Sequence, residues 1–405
     1  MIQQTKEFTK PRVVAIDVLR GLALFGVLSV NLMQEFRVSI FLQLLAPPEP
    51  QACLDQLAQG IVSLLFSFKA IAVFSMLFGY GLSMQYQSLR ARGRAMVFLG
   101  RRLIVLLLFG LLHLIYLWNG DILTHYAIAG FIVLPFLLLP KPYLLASAGF
   151  ALLIFLLPQW QPWTIQWASA EHLRLVVAAA NEIYPHGSYA QIMQLRWDEL
   201  PLIFQLHQFV FPRTLALFLF GAWCHRIDLV NKLQSNRRLT FSFAIGGASI
   251  YLLERVMERY GMFFESPTLT SIFINLAPVI LAIAYAALVL IFCNASSNED
   301  ACGENQASQG KLSIAFAAVG KMAFTNYLMQ SLILTWIFHG YCLGQFNKMS
   351  EANGLGLACA IYLAQIALSL MWLRRFQLGP LEWLWRSMMF GRWQPIFLPT
   401  ARRSK

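Results

Sequence analysis

The chain has 405 residues, of which 58% are apolar and only 12% are charged, and its mean hydropathy is +0.59. Soluble domains carry roughly 25% charged residues. This chain therefore has too little charge to cover a water-facing surface, which excludes a soluble, a disordered or a fibrous protein. Its net charge of +12 comes from basic residues between apolar stretches, as membrane topology requires. The sequence predicts an integral membrane protein whose partner is the lipid bilayer and not a nucleic acid.

Ten stretches are apolar enough to form membrane helices, each of which needs about 20 residues. They lack the short alternating pattern of a membrane β-barrel, so we predict an all-α, polytopic membrane helix bundle of about ten transmembrane helices. The stretches are residues 14–37, 62–87, 103–119, 122–139, 143–159, 206–224, 239–256, 269–293, 312–338 and 353–373.

The distribution of Lys and Arg indicates the orientation of these helices. If the N-terminus is inside, most of the 31 basic residues fall in inner segments, as expected for cytoplasmic loops. We therefore predict that both termini are cytoplasmic. Residues 1–225 are predicted to form an N-terminal transmembrane bundle with an outer loop at 160–205, and residues 226–405 a C-terminal transmembrane region that ends in an interfacial amphipathic helix.

Three segments are predicted not to span the membrane. The outer connection 160–205 is rich in Trp and contains an amphipathic helix at 169–183, which serves either as an interfacial aromatic belt or as a substrate lid. Residues 294–310 are predicted to be a polar cytoplasmic linker. Residues 379–393 begin with a Gly-Pro pair that suits a first helical turn, and their Trp and Arg side chains suit the headgroup zone.

Inserting an ionisable side chain within a membrane span costs of order 2.5–3.5 kcal/mol. The ionisable side chains that the spans do contain are therefore candidates for a functional site. Asp17 and Arg20 share one face of the first helix, either as a helix-end ion pair or as an inner site for an anion such as a CoA phosphate. Asn31 and Glu35 line one face near the outer end of this helix. Lys69 lies in a stretch that is too long for one upright helix. Either the first part of this stretch is a half-helix or re-entrant piece that ends near Lys69, or the whole stretch is a tilted helix with a snorkelling lysine.

His113 lies inside the third stretch, and Asp121 and His125 follow near the outer turn. His113 is either a packed, hydrogen-bonded side chain or a general base. In a continuous helix, eight residues place Asp121 about 12 Å along the axis from His113. Without a chain break at Asn119-Gly120, Asp121 is therefore expected to pair with His125, which is four residues away.

Asn326 and Gln330 lie one turn apart in the ninth stretch, with Thr325 beside them. These side chains either join neighbouring helices by hydrogen bonds or line a substrate cavity, and the pattern leaves both open.

The six cysteines show no C-x-x-C spacing, so no metal is expected. Cys53 and Cys342 both fall on the predicted outer side and could form a bridge only in an oxidising compartment. The sequence has no P-loop, serine hydrolase elbow or dinucleotide fingerprint, which argues against an ATP-driven pump.

Groups of motifs run along the whole chain. The N-terminal ones are Arg12-x4-Asp17-x2-Arg20-Gly21, Gly26-x4-Asn31, Lys69 with Phe74-Ser75-x2-Phe78-Gly79, and Leu112-His113 with Trp118-x-Gly120-Asp121-Ile122-Leu123-x2-Tyr126-Ala127. The C-terminal ones are Gly320-Lys321-Met322-Ala323-x-Thr325-Asn326-Tyr327-x2-Gln330-Ser331 and Gly379-Pro380-Leu381-Glu382-Trp383-Leu384-Trp385-Arg386. Together these motifs resemble the YeiB-like family of bacterial inner-membrane proteins, an uncharacterised-domain family. The resemblance implies a multi-pass protein of the bacterial inner membrane.

The Asp-x-x-Arg-Gly opening of this family is similar to that of transmembrane acyltransferases such as heparan-alpha-glucosaminide N-acetyltransferase. The resemblance implies transfer of an acyl group from cytoplasmic acyl-CoA, such as acetyl-CoA, across the membrane to a small-molecule or glycan acceptor. In that N-acetyltransferase the catalytic His follows the first helix, whereas residues 38–68 of this chain contain no His.

Under this hypothesis His113 is the base or a proton relay, Asp121 orients a neighbour, and Lys69 or Asn326 polarises the acyl carbonyl. The predicted substrate- and cofactor-binding residues are Asp17, Arg20, Asn31, Glu35, Arg101, Arg102, His125 and Gln330. One alternative is a secondary transporter or exporter of a small molecule, because prolines within spans can break helices that line a site. A non-catalytic membrane scaffold is the other alternative, and a homo-oligomer is left open.

Overall fold

The computed structural model describes residues 14–45, 52–91, 93–157, 165, 167–262, 264, 266–298 and 310–398. These ranges are α-helical, with no strand beyond one isolated antiparallel bridge between Phe376 and Phe397. The predicted all-α, polytopic membrane bundle is confirmed. Arg12 of the first motif and most of the predicted linker 294–310 lie outside the described residues.

Fifteen α-helices, α1 to α15, follow one another in the described parts of the chain. A π-helical turn at Leu32–Phe36 extends α1, and a 3-10 turn at Ile40–Leu44 follows it. The helices are α1 Val14–Asn31, α2 Cys53–Leu65, α3 Lys69–Arg90, α4 Ala95–Tyr116, α5 Ile122–Phe136, α6 Lys141–Leu156, α7 Ala170–His186, α8 Tyr189–Arg226, α9 Leu229–Ser235, α10 Arg237–Arg259, α11 Pro267–Asn298, α12 Lys311–Lys321, α13 Ala323–Phe338, α14 Glu351–Leu373 and α15 Pro380–Phe390.

Each of the ten predicted stretches coincides with a helix or a helix pair. Within the described residues, six segments are long and apolar enough to cross a membrane, and the count is seven if the bent α12–α13 pair is taken as one broken span. Helices α5 and α6 are apolar but shorter, and α10 is less apolar. The chain is thus a membrane protein with several spans, while the count of ten and the cytoplasmic position of both ends stay predictions.

The prediction of one continuous span at 312–338 was wrong. Helices α12 and α13 meet at an angle of 77° around Met322. The Glu382 carboxylate of α15 accepts hydrogen bonds from the backbone N–H groups of Phe324 and Thr325, at 2.7 and 3.1 Å. The first N–H groups of a helix have no partner within it, so this distant carboxylate stabilises a helix start that an apolar pattern does not reveal.

A second break separates α2 from α3 beside Lys69. Phe68 there has φ 63°, in the left-handed region, which non-glycine residues enter only at a cost. The chain is thus interrupted next to Lys69, where the half-helix alternative places an end, while Cys53–Arg90 as a whole remains one apolar segment of 38 residues that is long enough to cross a membrane.

The outer connection is more helical than predicted. The amphipathic helix expected at 169–183 is present as α7, and α8 then runs for 38 residues. The predicted span 206–224 is therefore the inner part of a long helix that extends beyond it. The interfacial helix expected after Gly379 is α15, with Pro380 in its first turn.

Helix α1 lies at the centre of the bundle and packs against α2, α3 and the helices α11 to α14. Close backbone approach joins α3 to α8, since a Cβ atom on Gly79 would overlap the backbone of Phe218 and one on Gly221 that of Met76. Small residues commonly allow such approach between membrane helices.

Candidate functional site

A turn between α4 and α5 brings His113 and Asp121 together. Helix α4 ends at Tyr116, the chain reverses, and α5 begins directly after Asp121. The His113 Nδ1 and Asp121 Oδ1 atoms are 2.8 Å apart, and both residues are buried, at 1% and 0% exposure. The expected pairing of Asp121 with His125 was therefore wrong, because the chain does break at Asn119-Gly120. His125 instead pairs through Nε2 with the Thr214 hydroxyl of α8, at 3.0 Å.

The other contacts of Asp121 decide where the proton of this pair lies. Its carboxylate caps α5, accepting from the N–H of Leu123 at 3.0 Å and of Thr124 at 2.7 Å. An ionised carboxylate is an acceptor only, so His113 Nδ1 carries the proton and donates it to Asp121. The free lone pair of the imidazole is then on Nε2, which is buried with no hydrogen-bond partner among the described residues. A histidine oriented in this way has the form of a general base.

Aromatic side chains enclose the imidazole. The ring of Tyr327 on α13 lies 5.5 Å from it and the ring of Trp118 lies 6.1 Å away in an edge-on arrangement. Trp118 also packs on Phe36 at 4.7 Å, and the Glu35 carboxylate reaches Gly120 on the same turn. The His113–Asp121 pair is therefore covered by the turn that connects α4 and α5.

Trp118 also lines a pocket, whose lining residues do not include His113 or Asp121. The pocket's non-atom space, including the open mouth, is about 350 Å³, and in this conformation it has room for about one water molecule. Its walls come from the end of α1, the α4–α5 turn, α7, α8 and the segment after α13. The lining residues are Glu35, Ser39, Ile40, Trp118, Asn119, Gly120, Tyr184, Glu199, Ile203, His339 and Phe346.

A buried polar network forms one wall of this pocket. Glu199 Oε2 accepts hydrogen bonds from the Asn119 amide and the Tyr184 hydroxyl, both at 2.7 Å. The ring of Tyr184 stacks on His339 at 5.2 Å, and Arg196 lies 3.4 Å from His339 Nδ1. Burial and the charge of Arg196 hold the pKa of His339 well below its usual 6.5, and burial raises the pKa of Tyr184.

The sequence interpretation missed Tyr184, Arg196, Glu199 and His339 as site residues. The first three belong to the outer connection, where a substrate lid was one of two alternatives. Arg196 and Glu199 are three residues apart, a spacing that puts two charges on one helix face. This was the available signal. No pattern in the sequence links His339 to them.

The structure does not bring Lys69 and Asn326 to the His113–Asp121 pair. Lys69 Nζ donates to the Ser63 carbonyl at 2.7 Å and to the Tyr251 hydroxyl at 2.5 Å. Asn326 donates to the Ser369 hydroxyl at 3.0 Å. Among the described residues, no hydrogen bond joins Lys69 or Asn326 to His113 or Asp121, and the Asn326 Oδ1 atom is buried without a partner.

Gln330 has the bonding expected of polar contacts between helices. Its amide nitrogen donates to the side-chain carbonyl of Gln365 on α14, at 2.8 Å. Together with Asn326, it joins α13 to α14 by hydrogen bonds, which is one of the two alternatives left open by the sequence. Asn31, at the end of α1, is half-buried.

A basic cluster lies at the other end of α1 and α4. Arg20 is paired with Asp17 at 3.1 Å. It is also close enough to Arg102 for the two positive charges to repel each other. The Arg102 guanidinium stacks over the Trp385 ring of α15 at 4.7 Å, and its Nη1 atom is buried with no hydrogen-bond partner among the described residues. Arg101 is exposed. The predicted phosphate-binding arginines are thus grouped, and one of them has an unused donor.

Two further features concern metals and cysteines. The described residues contain no group of three or more His, Cys, Asp or Glu side chains arranged to hold a metal ion. Cys53 and Cys342 are both free and exposed.

Comparison with known proteins gives relatives over nearly the whole chain. A family described as "Protein of unknown function (DUF418)" matches residues 225–392. The chain is 30% identical to the uncharacterized protein YxaH of Bacillus subtilis, with 96% of both chains covered. It is 29% identical to the uncharacterized protein YeiB of Escherichia coli, with 96% of this chain and 100% of YeiB covered. An uncharacterized 39.9 kDa protein of Bacillus acidopullulyticus is 27% identical, with 96% of each chain covered. No solved structure matches the chain.

Proposed function

We propose that this chain, which belongs to the YeiB-like family of DUF418 bacterial membrane proteins, is a transmembrane acyltransferase of the inner membrane. Acyl-CoA on the cytoplasmic side is the donor in this proposal, and a small molecule or glycan on the outer side is the acceptor. The observation that carries the proposal is the buried His113–Asp121 pair, whose Nε2 atom has no partner.

His113 acts as the general base on the acceptor. Nε2 takes the proton of an acceptor O–H or N–H group while the freed electron pair forms a bond to the thioester carbonyl carbon. The C–S bond then breaks, and the CoA thiolate leaves with the proton that His113 Nε2 had taken up, which restores the neutral imidazole. Asp121 stabilises the imidazolium that forms in between, because its carboxylate lies 2.8 Å from Nδ1. General base catalysis of this kind contributes roughly 10²–10⁴-fold to a rate.

The pocket lined by Trp118 is the acceptor site in this proposal. It is lined by the turn that follows α4, and it presents Glu35, Glu199 and Asn119 to a polar ligand. Since Trp118 separates the pocket from the imidazole, its ring must swing aside before an acceptor reaches Nε2.

The cluster of Arg20, Arg101 and Arg102 is the proposed donor site. Arginine donors suit phosphate groups, and Arg102 Nη1 has an unused N–H. Eleven residues of α4 separate Arg102 from His113, which is about 16 Å along the helix axis, so an extended thioester arm has to cover that distance. Lys69 and Asn326 have no part in this mechanism, since Lys69 Nζ and the Asn326 amide nitrogen donate to other side chains and no hydrogen bond joins either residue to His113 or Asp121 among the described residues.

The test is acyl transfer by the purified protein in proteoliposomes. Radiolabelled acetyl-CoA is added on one side and a total envelope extract on the other, and both CoA thiol release and labelled product are measured against empty liposomes. We expect thiol release together with label on the far side. Absence of both, with a folded protein, would refute the acyltransferase.

The 77° break between α12 and α13 supports a second candidate, a secondary transporter. Half-helices that meet inside a membrane commonly border substrate and ion sites in such proteins. The same proteoliposomes distinguish the two functions. A transporter moves a small molecule in response to a proton or sodium gradient, without CoA release.

A further inference from the structure

Arg213 on α8 is a buried cation without an anion. Its side chain is 8% exposed, and among the described residues no carboxylate forms an ion pair with it and no acceptor hydrogen-bonds its guanidinium. A charge buried in this way is costly, and inside a membrane protein it marks a functional site by default. Neither the proposed acyl transfer nor the packing of α8 accounts for it.

The surroundings of Arg213 are aromatic and basic. Its Cζ atom lies 5.4 Å from the ring centres of both Phe68 and Phe155. Its guanidinium is close enough to His125 for the two groups to interact electrostatically, and the His125 ring is 5.2 Å from that of His207. The nearby carboxylate is that of Asp121, which acts on His207 and is already bonded to His113. Cation–π contacts with two rings hold the guanidinium in place but leave its N–H donors unused. The donors and the positive charge together suit an anion.

The position of the guanidinium indicates where that anion comes from. Phe68 immediately precedes α3 and Phe155 lies in the last turn of α6, so Arg213 is level with the outer ends of both helices in the predicted topology. Headgroups of the outer leaflet lie at this depth. Phe68 is also 57% exposed, so one of the two rings that contact the guanidinium lies on the surface of the bundle.

We propose that Arg213, with the imidazoles of His125 and His207, binds the phosphate of an anionic membrane lipid that enters from the outer leaflet past Phe68. The bound phosphate accepts hydrogen bonds from the guanidinium and completes its charge pairing. His207 lies within electrostatic range of Asp121, so the lipid site is next to the His113–Asp121 pair. Its test measures lipid binding and not acyl transfer, so it succeeds or fails independently of the proposed function.

The test measures lipid binding to the detergent-purified, full-length protein. Phosphatidylglycerol and phosphatidylcholine are titrated separately, with native mass spectrometry for stoichiometry and thermal unfolding for the stabilisation that a ligand of the folded state produces. We expect phosphatidylglycerol to bind about 10- to 100-fold more tightly than phosphatidylcholine, the range for a charged hydrogen-bonded contact. Arg213→Gln should abolish this preference, whereas Arg174→Gln, which removes an exposed arginine of α7, should leave it unchanged.

Several results would overturn the site. One is a wild-type protein with no preference for phosphatidylglycerol, which needs no variant and therefore holds even if Arg213→Gln fails to fold. Another is a preference that survives in folded Arg213→Gln. Inorganic phosphate is added in a third arm. Stabilisation by free phosphate without any preference between the lipids would overturn the assignment to a lipid.

Discussion

Replacing Asp121 by Asn separates the proposed catalytic role of this residue from its structural role. Asp121 accepts three hydrogen bonds, from His113 and from the N–H groups of Leu123 and Thr124. An Asn side chain has one oxygen and one NH₂ group in the place of the two oxygens. If the Asn oxygen keeps the hydrogen bond from the Thr124 N–H, its NH₂ group faces His113 Nδ1. Nδ1 then has to accept a hydrogen bond, so the imidazole proton lies on Nε2 instead. If its oxygen stays on His113, the cap on Thr124 is lost and no negative charge stabilises the imidazolium.

Both orientations predict a large loss of activity and a small loss of stability. The base or its counter-charge is lost in each case, so transfer should fall about 10²–10⁴-fold, which corresponds to roughly 3–5 kcal/mol of barrier. One backbone hydrogen bond is lost in each case, so the free energy of unfolding should fall by only about 1 kcal/mol.

The assay is acetyl transfer from radiolabelled acetyl-CoA in proteoliposomes, with thermal unfolding measured on the same preparations. Asp198→Asn is the matched control, because Asp198 is an exposed carboxylate of α8 that should change neither quantity. Full transfer activity in Asp121→Asn, at an unfolding temperature close to wild type, would refute the assigned protonation of the pair.

Three further predictions concern the pocket, the buried network and the helix packing. Trp118→Ala should raise the hydrolysis of acetyl-CoA relative to acyl transfer, because water then reaches His113. An unchanged ratio of released acetate to transferred label would contradict the proposal that Trp118 keeps water away from His113. The pKa of His339 is held below its usual 6.5 by burial, so its contribution to stability is complete above pH 6.5 and is lost as the pH falls below it, by about 1.4 kcal/mol at pH 5.5. His339→Gln should remove this component of the pH dependence of unfolding, and an unchanged pH profile would argue against it. Gly79→Val should destabilise by at least about 1–3 kcal/mol because the new side chain meets the Phe218 backbone, whereas Gly81→Val, with open space around its Cβ position, should leave the unfolding temperature nearly unchanged.

The positions of the helices were largely predictable, because each predicted stretch depends on local composition. The breaks were not predictable. The start of α13 is stabilised by Glu382, a residue of α15, and no apolar pattern contains that contact. The α2–α3 break was recognised as an alternative, since the length of the stretch exceeded one upright span, but composition alone could not choose between a break and a tilt.

The candidate site was predictable in its residues and not in its pairing. His113 and Asp121 were chosen because polar side chains at membrane depth are costly. Their contact depends on a reversal of the chain at Asn119-Gly120, so a helical distance argument pointed to His125 instead. Lys69 and Asn326 satisfied the same cost argument by bonding to Tyr251 and Ser369. A polar residue in a span therefore indicates that a partner exists, without indicating whether that partner is a substrate or another helix.

The central claim is that His113 Nε2 is the base that activates the acceptor, and His113→Gln tests it most directly. His172→Gln, which changes an exposed histidine of α7, is the matched control. Acetyl transfer is measured for both variants in proteoliposomes of equal protein content, after thermal unfolding has shown that both are folded. We expect a loss of at least about 100-fold for His113→Gln and wild-type transfer for His172→Gln. Equal transfer by both variants would contradict the claim.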